Sequence, residues 1–169
     1  RELNHRVKNT LANVLSIAAL TRRRATDIDD FTESLTARIR ALSATHDLLS
    51  QTNWSNAPLG DVIRSELAPY VEGSESHVVL AGPEIRLAPN DAMSLGLAIH
   101  ELATNAAKYG ALSSNEGRIH VTWKLIKNDL AQIHWREEGG PTVVEPTKRG
   151  FGRDLIEKIV AHELRSQVD

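Results

Sequence analysis

The first 57 residues contain neither Gly nor Pro, and Pro58 is the first break. A stretch of that length without either breaker, and without a sustained β-branched alternation, is a helical stretch. Leu3, Val7, Leu11, Val14 and Ala18 recur at the spacing of one helical face, which predicts a long amphipathic helix from the very start. Thr26, Asp27, Asp29 and Asp30 then offer N-caps, and Phe31, Leu35, Ile39, Leu42, His46 and Leu49 set a second helical period. The connection is short, so residues 1–52 are expected to form an antiparallel helical hairpin. His5 lies two residues from both Leu3 and Val7, which places it opposite the apolar stripe and exposed.

The turn-rich segment Asn53-Trp-Ser-Asn-Ala-Pro58 marks a boundary, and residues 53–169 change character. Leu59 to Leu67 reads as a short helix ended before Pro69, and His77–Ala81 and Ile85–Leu87 as β-like runs around Gly82-Pro83. A strong helix runs from about Asn90 to Tyr109 and stops at Gly110. Ile119–Ile126 and Leu130–Trp135 alternate partially across Asn128-Asp129, as a hairpin would. Glu138 to Arg149 has no period and is expected to be a loop; Asp154 to His162 returns to a helical pattern, and Leu164–Val168 to the start of a strand.

Composition removes several classes of function. The chain has no Cys, which excludes disulfides, zinc ribbons and thiol nucleophiles. Twenty basic against 22 acidic residues give a net charge of -2, so there is no global positive field for nucleic acid. The apolar runs are too short for a membrane span, and the opening Arg-Glu-Leu-Asn-His is no signal peptide. The expectation is a soluble, cytoplasmic protein.

Three groups of residues carry chemistry. An exposed imidazole at His5, with Asn4, Arg6, Lys8 and Asn9 around it, is competent to attack an anionic phosphoryl group, although a solvent-facing histidine explains the same segment. In His100-Glu-Leu-Ala-Thr-Asn-Ala-Ala-Lys-Tyr109, the residues Glu101, Asn105 and Lys108 fall at i, i+4 and i+7, a row suited to hydrated Mg2+ and its phosphates or simply a solvated face. Zinc is excluded because H-E-x-x-H finds Thr104 after His100 and Ser166 after His162. The third group is Trp135-Arg-Glu-Glu-Gly-Gly-Pro141, followed by Gly150-Phe-Gly-Arg153 at a helix entry, where glycines and helix N-terminal amides favour close approach of phosphate.

The order of these groups resembles the nucleotide fold of the GHKL superfamily, shared by gyrase-type ATPases, heat-shock chaperones and histidine kinases. Within it the chain is similar to the HWE sensor histidine kinases, named for a His in the Asn-bearing box, here His100, and a Trp-x-Glu motif, here Trp135-Arg-Glu137. Glu2-Leu-Asn-His-Arg-Val-Lys-Asn-Thr-Leu11 resembles that family's phosphoacceptor box. The resemblance spans residues 1 to 163 in order.

The resemblance implies an α+β protein: a hairpin for dimerisation and phosphotransfer, then a GHKL-type α/β sandwich binding ATP, here without its final strand or strands. It implies phosphorylation of His5 from Mg-ATP and onward transfer to a response-regulator receiver domain, with an upstream sensor domain in the same polypeptide and a homodimer through the hairpin. Asn9 would neighbour the acceptor, with His100 and Glu101 in the catalytic box. Asn105 and Glu101 would hold Mg2+, and Lys108 and Tyr109 would lie near the phosphates. Glu137 would accept from the adenine amino group, Gly139 would belong to the first glycine box, and Gly150, Gly152 and Arg153 to the second, with residues 141 to 149 as lid. Arg6 stands where many histidine kinases carry an acidic general base, so the base is left open. The alternatives are a related ATPase or Ser/Thr kinase of the same fold, and a catalytically silent docking module.

Overall fold

The computed structural model describes residues 1–71, 77–126 and 130–142. The Asn128-Asp129 turn, the expected lid from residue 143 onward, Gly150, Gly152, Arg153 and the helix expected over 154–162 lie outside the described residues.

Helix α1 spans Glu2–Arg24 and α2 spans Ile28–Gln51. Glu2 in the first turn of α1 and Arg22, Arg23 and Arg24 in its last complement the helix dipole. The expected cap of α2 is in place: the Asp27 carboxylate accepts from the Asp30 N–H at 2.8 Å, and Asp30 reaches back to accept from the Thr26 N–H at 2.9 Å. The far end of α2 closes through Asn53 and Trp54, both in the left-handed region at φ 51° and 62°. A bulky residue there is held from outside. The Trp54 ring meets His46 edge-on at 4.5 Å between centroids, and the Arg6 guanidinium lies over its face at 5.6 Å.

Strand β1, Ala57–Pro58, lies in what the sequence reads as a turn and pairs antiparallel with β3, Arg86–Leu87, in the run expected to be β-like. Helix α3 runs Leu59–Val71 and carries Pro69 in its last turn, four residues beyond the end expected from the sequence. A proline costs most in a helix interior, and in a final turn few bonds remain to be lost. Helix α4 covers Pro89–Tyr109 with proline at its first position, and a short 3-10 turn, Ala111–Ser113, follows Gly110.

Strand β2, Val78–Ala81, lies parallel to β4, Arg118–Ile126, which pairs antiparallel with β5, Leu130–Glu138. The sheet order is β2-β4-β5. Strand β5 continues three residues past Trp135, so Glu137 stays in register, opposite Ile119.

Helices α3 and α4 form the middle of the molecule. Leu59, Val62, Ile63 and Leu67 of α3, Leu95, Leu97, Ile99 and Ala103 of α4, and Ile119, Val121 and Trp123 of β4 make one core. Helix α4 is buried over nearly all of residues 92–99, as a helix covered on both sides must be. The hairpin lies on its other side, where a Cβ on Gly96 would overlap the Thr45 hydroxyl. Among the described residues no helix is long and apolar enough to cross a membrane.

Candidate phosphotransfer and nucleotide site

The row expected along α4 does not form. Asn105, Lys108 and Tyr109 are exposed, but Glu101 is buried at 4% exposure and faces the hairpin. Arg38 of α2 donates to both its oxygens, Nε to Oε1 at 2.7 Å and an Nη to Oε2 at 3.2 Å, and its other Nη donates to the Thr21 hydroxyl of α1 at 3.2 Å. In this arrangement the Glu101 carboxylate is not open to a metal ion, a correction to the sequence expectation. The reason is physical: a carboxylate this deeply buried requires a charged, hydrogen-bonded partner, and a bidentate guanidinium satisfies it.

At the end of β5, Glu137 has the same parity as Ala131, Ile133 and Trp135, which pack towards the core. Its carboxylate accepts from the Trp135 indole N–H at 3.0 Å and from the Ala111 backbone N–H at 2.8 Å. Gly110 leaves the space for this contact, since a Cβ there would overlap Glu137 Oε2. Gly139 sits at φ 69°, where glycine is favoured, and a Cβ on it would press on the Glu116 carbonyl. The glycine turn therefore packs backbone on backbone beside Glu137.

His5 and Asn9 are exposed on the first turns of α1. Arg6 over Trp54, together with the Arg38 bond to Thr21, makes α1 and α2 antiparallel; Arg38 on Glu101 and Thr45 against Gly96 make α2 and α4 antiparallel as well. Helices α1 and α4 therefore run the same way, with Thr21 level with Glu101. His5 lies 16 residues before that level and Asn105 four residues after it. At 1.5 Å per residue they are separated by about 30 Å along the bundle.

The family profile described as HWE histidine kinase matches residues 2–84. A blue-light-activated histidine kinase of Brucella anthropi is 38% identical over 172 residues, an alignment covering 100% of this chain and 35% of that protein. Its counterpart in Brucella abortus (strain 2308) is 37% identical with the same coverage. Residues 2–84 thus carry the signature of the HWE histidine kinases. It spans about a third of the length of the curated relatives it matches. The solved blue-light activated histidine kinase of Erythrobacter litoralis EL346 superimposes with a TM-score of 0.71 at 19% identity, over 99% of this chain and 53% of that one. The histidine kinase domain of that protein gives 0.60 at 14% identity, over 90% and 83%. At these identities the likeness is one of fold.

The residues that give the HWE family its name fall in two different settings. Trp135 and Glu137 meet each other, as described, whereas His100 lies in the helical layer. Its imidazole is mostly buried, with Nδ1 3.8 Å from Glu66 Oε2 of α3, too far for a hydrogen bond. Burial lowers the His100 pKa and pushes that of Glu66 up to about 8, so an unprotonated imidazole and a protonated acid lie side by side at neutral pH. Among the described residues Glu66 Oε1 has no hydrogen-bond partner. Lys108 lies near Asp30 of α2, whose carboxyl is held below the usual range first by the Thr26 N–H and to a lesser degree by the Lys108 charge.

Sequence patterns missed Arg38, Glu66 and the role of the Trp135 indole. Arg38 was signalled only by being a cation among the apolar positions of α2. Glu66 was signalled by its place one residue before Leu67 in a helix whose buried face was not yet known.

Proposed function

We propose that this chain is the phosphotransfer and nucleotide-binding core of a histidine kinase that moves the γ-phosphoryl group of ATP to a nitrogen of His5 and then to a response-regulator aspartate. The carrying observation is the bare, solvent-facing His5 with Asn9 one turn on, in a stretch that matches the HWE family. Nucleotide would be held at the far end of α4 and the end of β5. The donor set fits the group: an exposed carboxamide at Asn105, the cation of Lys108, and a Glu137 carboxylate with lone pairs to spare. Asn105 would hold Mg2+, which retains most of its water and needs few protein oxygens. The metal would supply charge neutralisation at the phosphates.

The buried Glu101 would act on the hairpin through Arg38, holding acceptor helix and nucleotide helix in one layer. His5 and Asn105 lie about 30 Å apart along the bundle, so transfer requires either that the hairpin swing or that a second chain present its nucleotide end. A second copy would also cover the exposed apolar stripe of α1, and we propose the homodimer on that ground. A sensor domain elsewhere in the polypeptide and a division between hairpin and nucleotide domain near residue 52 complete the reading.

The test is incubation with γ-labelled ATP. Acid-labile label that disappears in His5→Gln, with nucleotide binding retained, supports the proposal. Acid-stable label favours a Ser/Thr kinase, and no label favours a silent module. Mixing His5→Gln with Asn105→Ala then separates transfer between chains, which restores label, from transfer within one chain, which does not.

A further inference from the structure

The Trp135 indole is doing something a core tryptophan need not do. Its ring packs against the sheet face while its N–H is spent on the carboxylate two residues along the same strand, at 3.0 Å. Same-face neighbours on a strand point the same way, so the indole edge reaches the side chain beyond it. The second oxygen of Glu137 is taken from a different direction, by the Ala111 N–H at 2.8 Å across the space that Gly110 leaves open. A glutamate at an exposed strand end has three free torsions and ordinarily samples several rotamers. Here two donors from separate elements, one on each oxygen, select one orientation.

We infer that Trp135 is a positioning residue for base recognition: with Ala111 and Gly110 it locks the Glu137 carboxylate so that its unused lone pairs meet a 6-amino purine. The inference rests on the reading that Glu137 touches the base. An ionised carboxylate offers about four acceptor directions, and the two internal donors leave roughly half of them for an incoming amino group. Because those donors are in place before nucleotide arrives, binding does not have to order the side chain, which is how preorganisation raises affinity and selectivity together.

The probes are ATP, which carries the 6-amino donor, and the purine nucleoside triphosphate with hydrogen at C6, which carries no group there. The variants, made in the full chain, are Glu137→Ala, Trp135→Phe, which keeps the packed ring and removes the N–H, and Gly110→Ala, which pushes on the carboxylate without changing either partner. Calorimetry with Mg2+ is expected to give wild-type protein a preference for ATP of about tenfold over the 6-H analogue. Trp135→Phe and Gly110→Ala should each reduce that ratio to about threefold or less, with affinity for the analogue unchanged. A merely structural role would weaken both nucleotides alike and leave the ratio intact.

If Glu137→Ala collapses the ratio while Trp135→Phe and Gly110→Ala keep it, the positioning role is overturned and base recognition by Glu137 stands. If Glu137→Ala leaves the ratio untouched, base recognition by Glu137 fails and the positioning role with it. Should Trp135→Phe not fold, Gly110→Ala alone decides, by the same ratio.

Discussion

The two halves of α1 belong to one uninterrupted helix and live in different environments. In the second half Ile17 is 1% exposed and Thr21 is 2% exposed, locked by Arg38 against α2 and α4. In the first half Leu3, Leu11 and Leu15 are 72%, 57% and 71% exposed, and Arg6, Thr10, Asn13 and Val14 are half-buried. Leu3, Leu11 and Leu15 thus face outwards, whereas Val14 marks where the apolar residues of α1 begin to pack against the core. In the half that carries His5, Arg6 lies over the Trp54 ring; the half that carries no chemistry is anchored in the core. A helix so divided presents its reactive end without sacrificing its foundation, and its free energy of docking is concentrated at the Thr21 end.

Among substitutions, cutting the anchor should have the largest effect. Arg38→Ala leaves Glu101 buried without a partner and should cost about 3–5 kcal/mol of unfolding free energy in urea. Arg38→Met combined with Glu101→Leu removes both charges and should recover most of that loss, because desolvation of the pair offsets much of its attraction. Next in size, Ile17→Ala should cost about 2–4 kcal/mol through lost burial and a residual cavity. A small loss from either single change would mean that the second half of α1 is not the anchor.

Sequence periodicity found the hairpin, α4 and the β4-β5 pair, because each is long and its period is set by local geometry. It found the run that becomes β3 but not its partner β1, a two-residue strand with no period to detect. Nor could spacing say what covers a stripe. Leu3, Val7 and Leu11 share one face, yet burial of that face depends on a partner surface, and the described residues leave all three exposed. Glu101 was misread for the same reason: it shares a side with Asn105 on a helical wheel, but its partner Arg38 lies 63 residues earlier. The exposure of His5 was legible in the helical period, and the place of Glu137 at a strand end in the run that leads to Gly139.

The layer between hairpin and sheet should also respond to pH. Glu66 has a pKa of about 8 when folded against 4.5 ordinarily, so the folded state holds a proton that the unfolded chain has released. Its contribution to stability is whole below pH 4.5 and is lost as pH rises through 8; across that window unfolding free energy should fall by about 5 kcal/mol. His100 works in the other direction. Its folded pKa is lowered from 6.5, so its contribution is present above that value and is lost as pH falls. Glu66→Gln should flatten the alkaline decline measured by urea titration at several pH values and leave the acid-side decline in place. An unchanged alkaline slope would show that Glu66 is ionised in the folded protein.

The smallest effect on stability should come from the exposed stripe itself. Leu11→Gln and Leu15→Gln remove apolar surface that is already in water, so each should change the unfolding free energy of the isolated chain by no more than about 0.5 kcal/mol. The informative readout is association. If a second hairpin covers the stripe, wild-type protein should show a concentration-dependent mass by light scattering, and the double substitution should abolish it, because two leucines per chain leave the centre of that interface. If instead the double substitution costs several kcal/mol at concentrations where the wild type is monomeric, the stripe is covered by its own chain and the contrast between the two halves of α1 disappears.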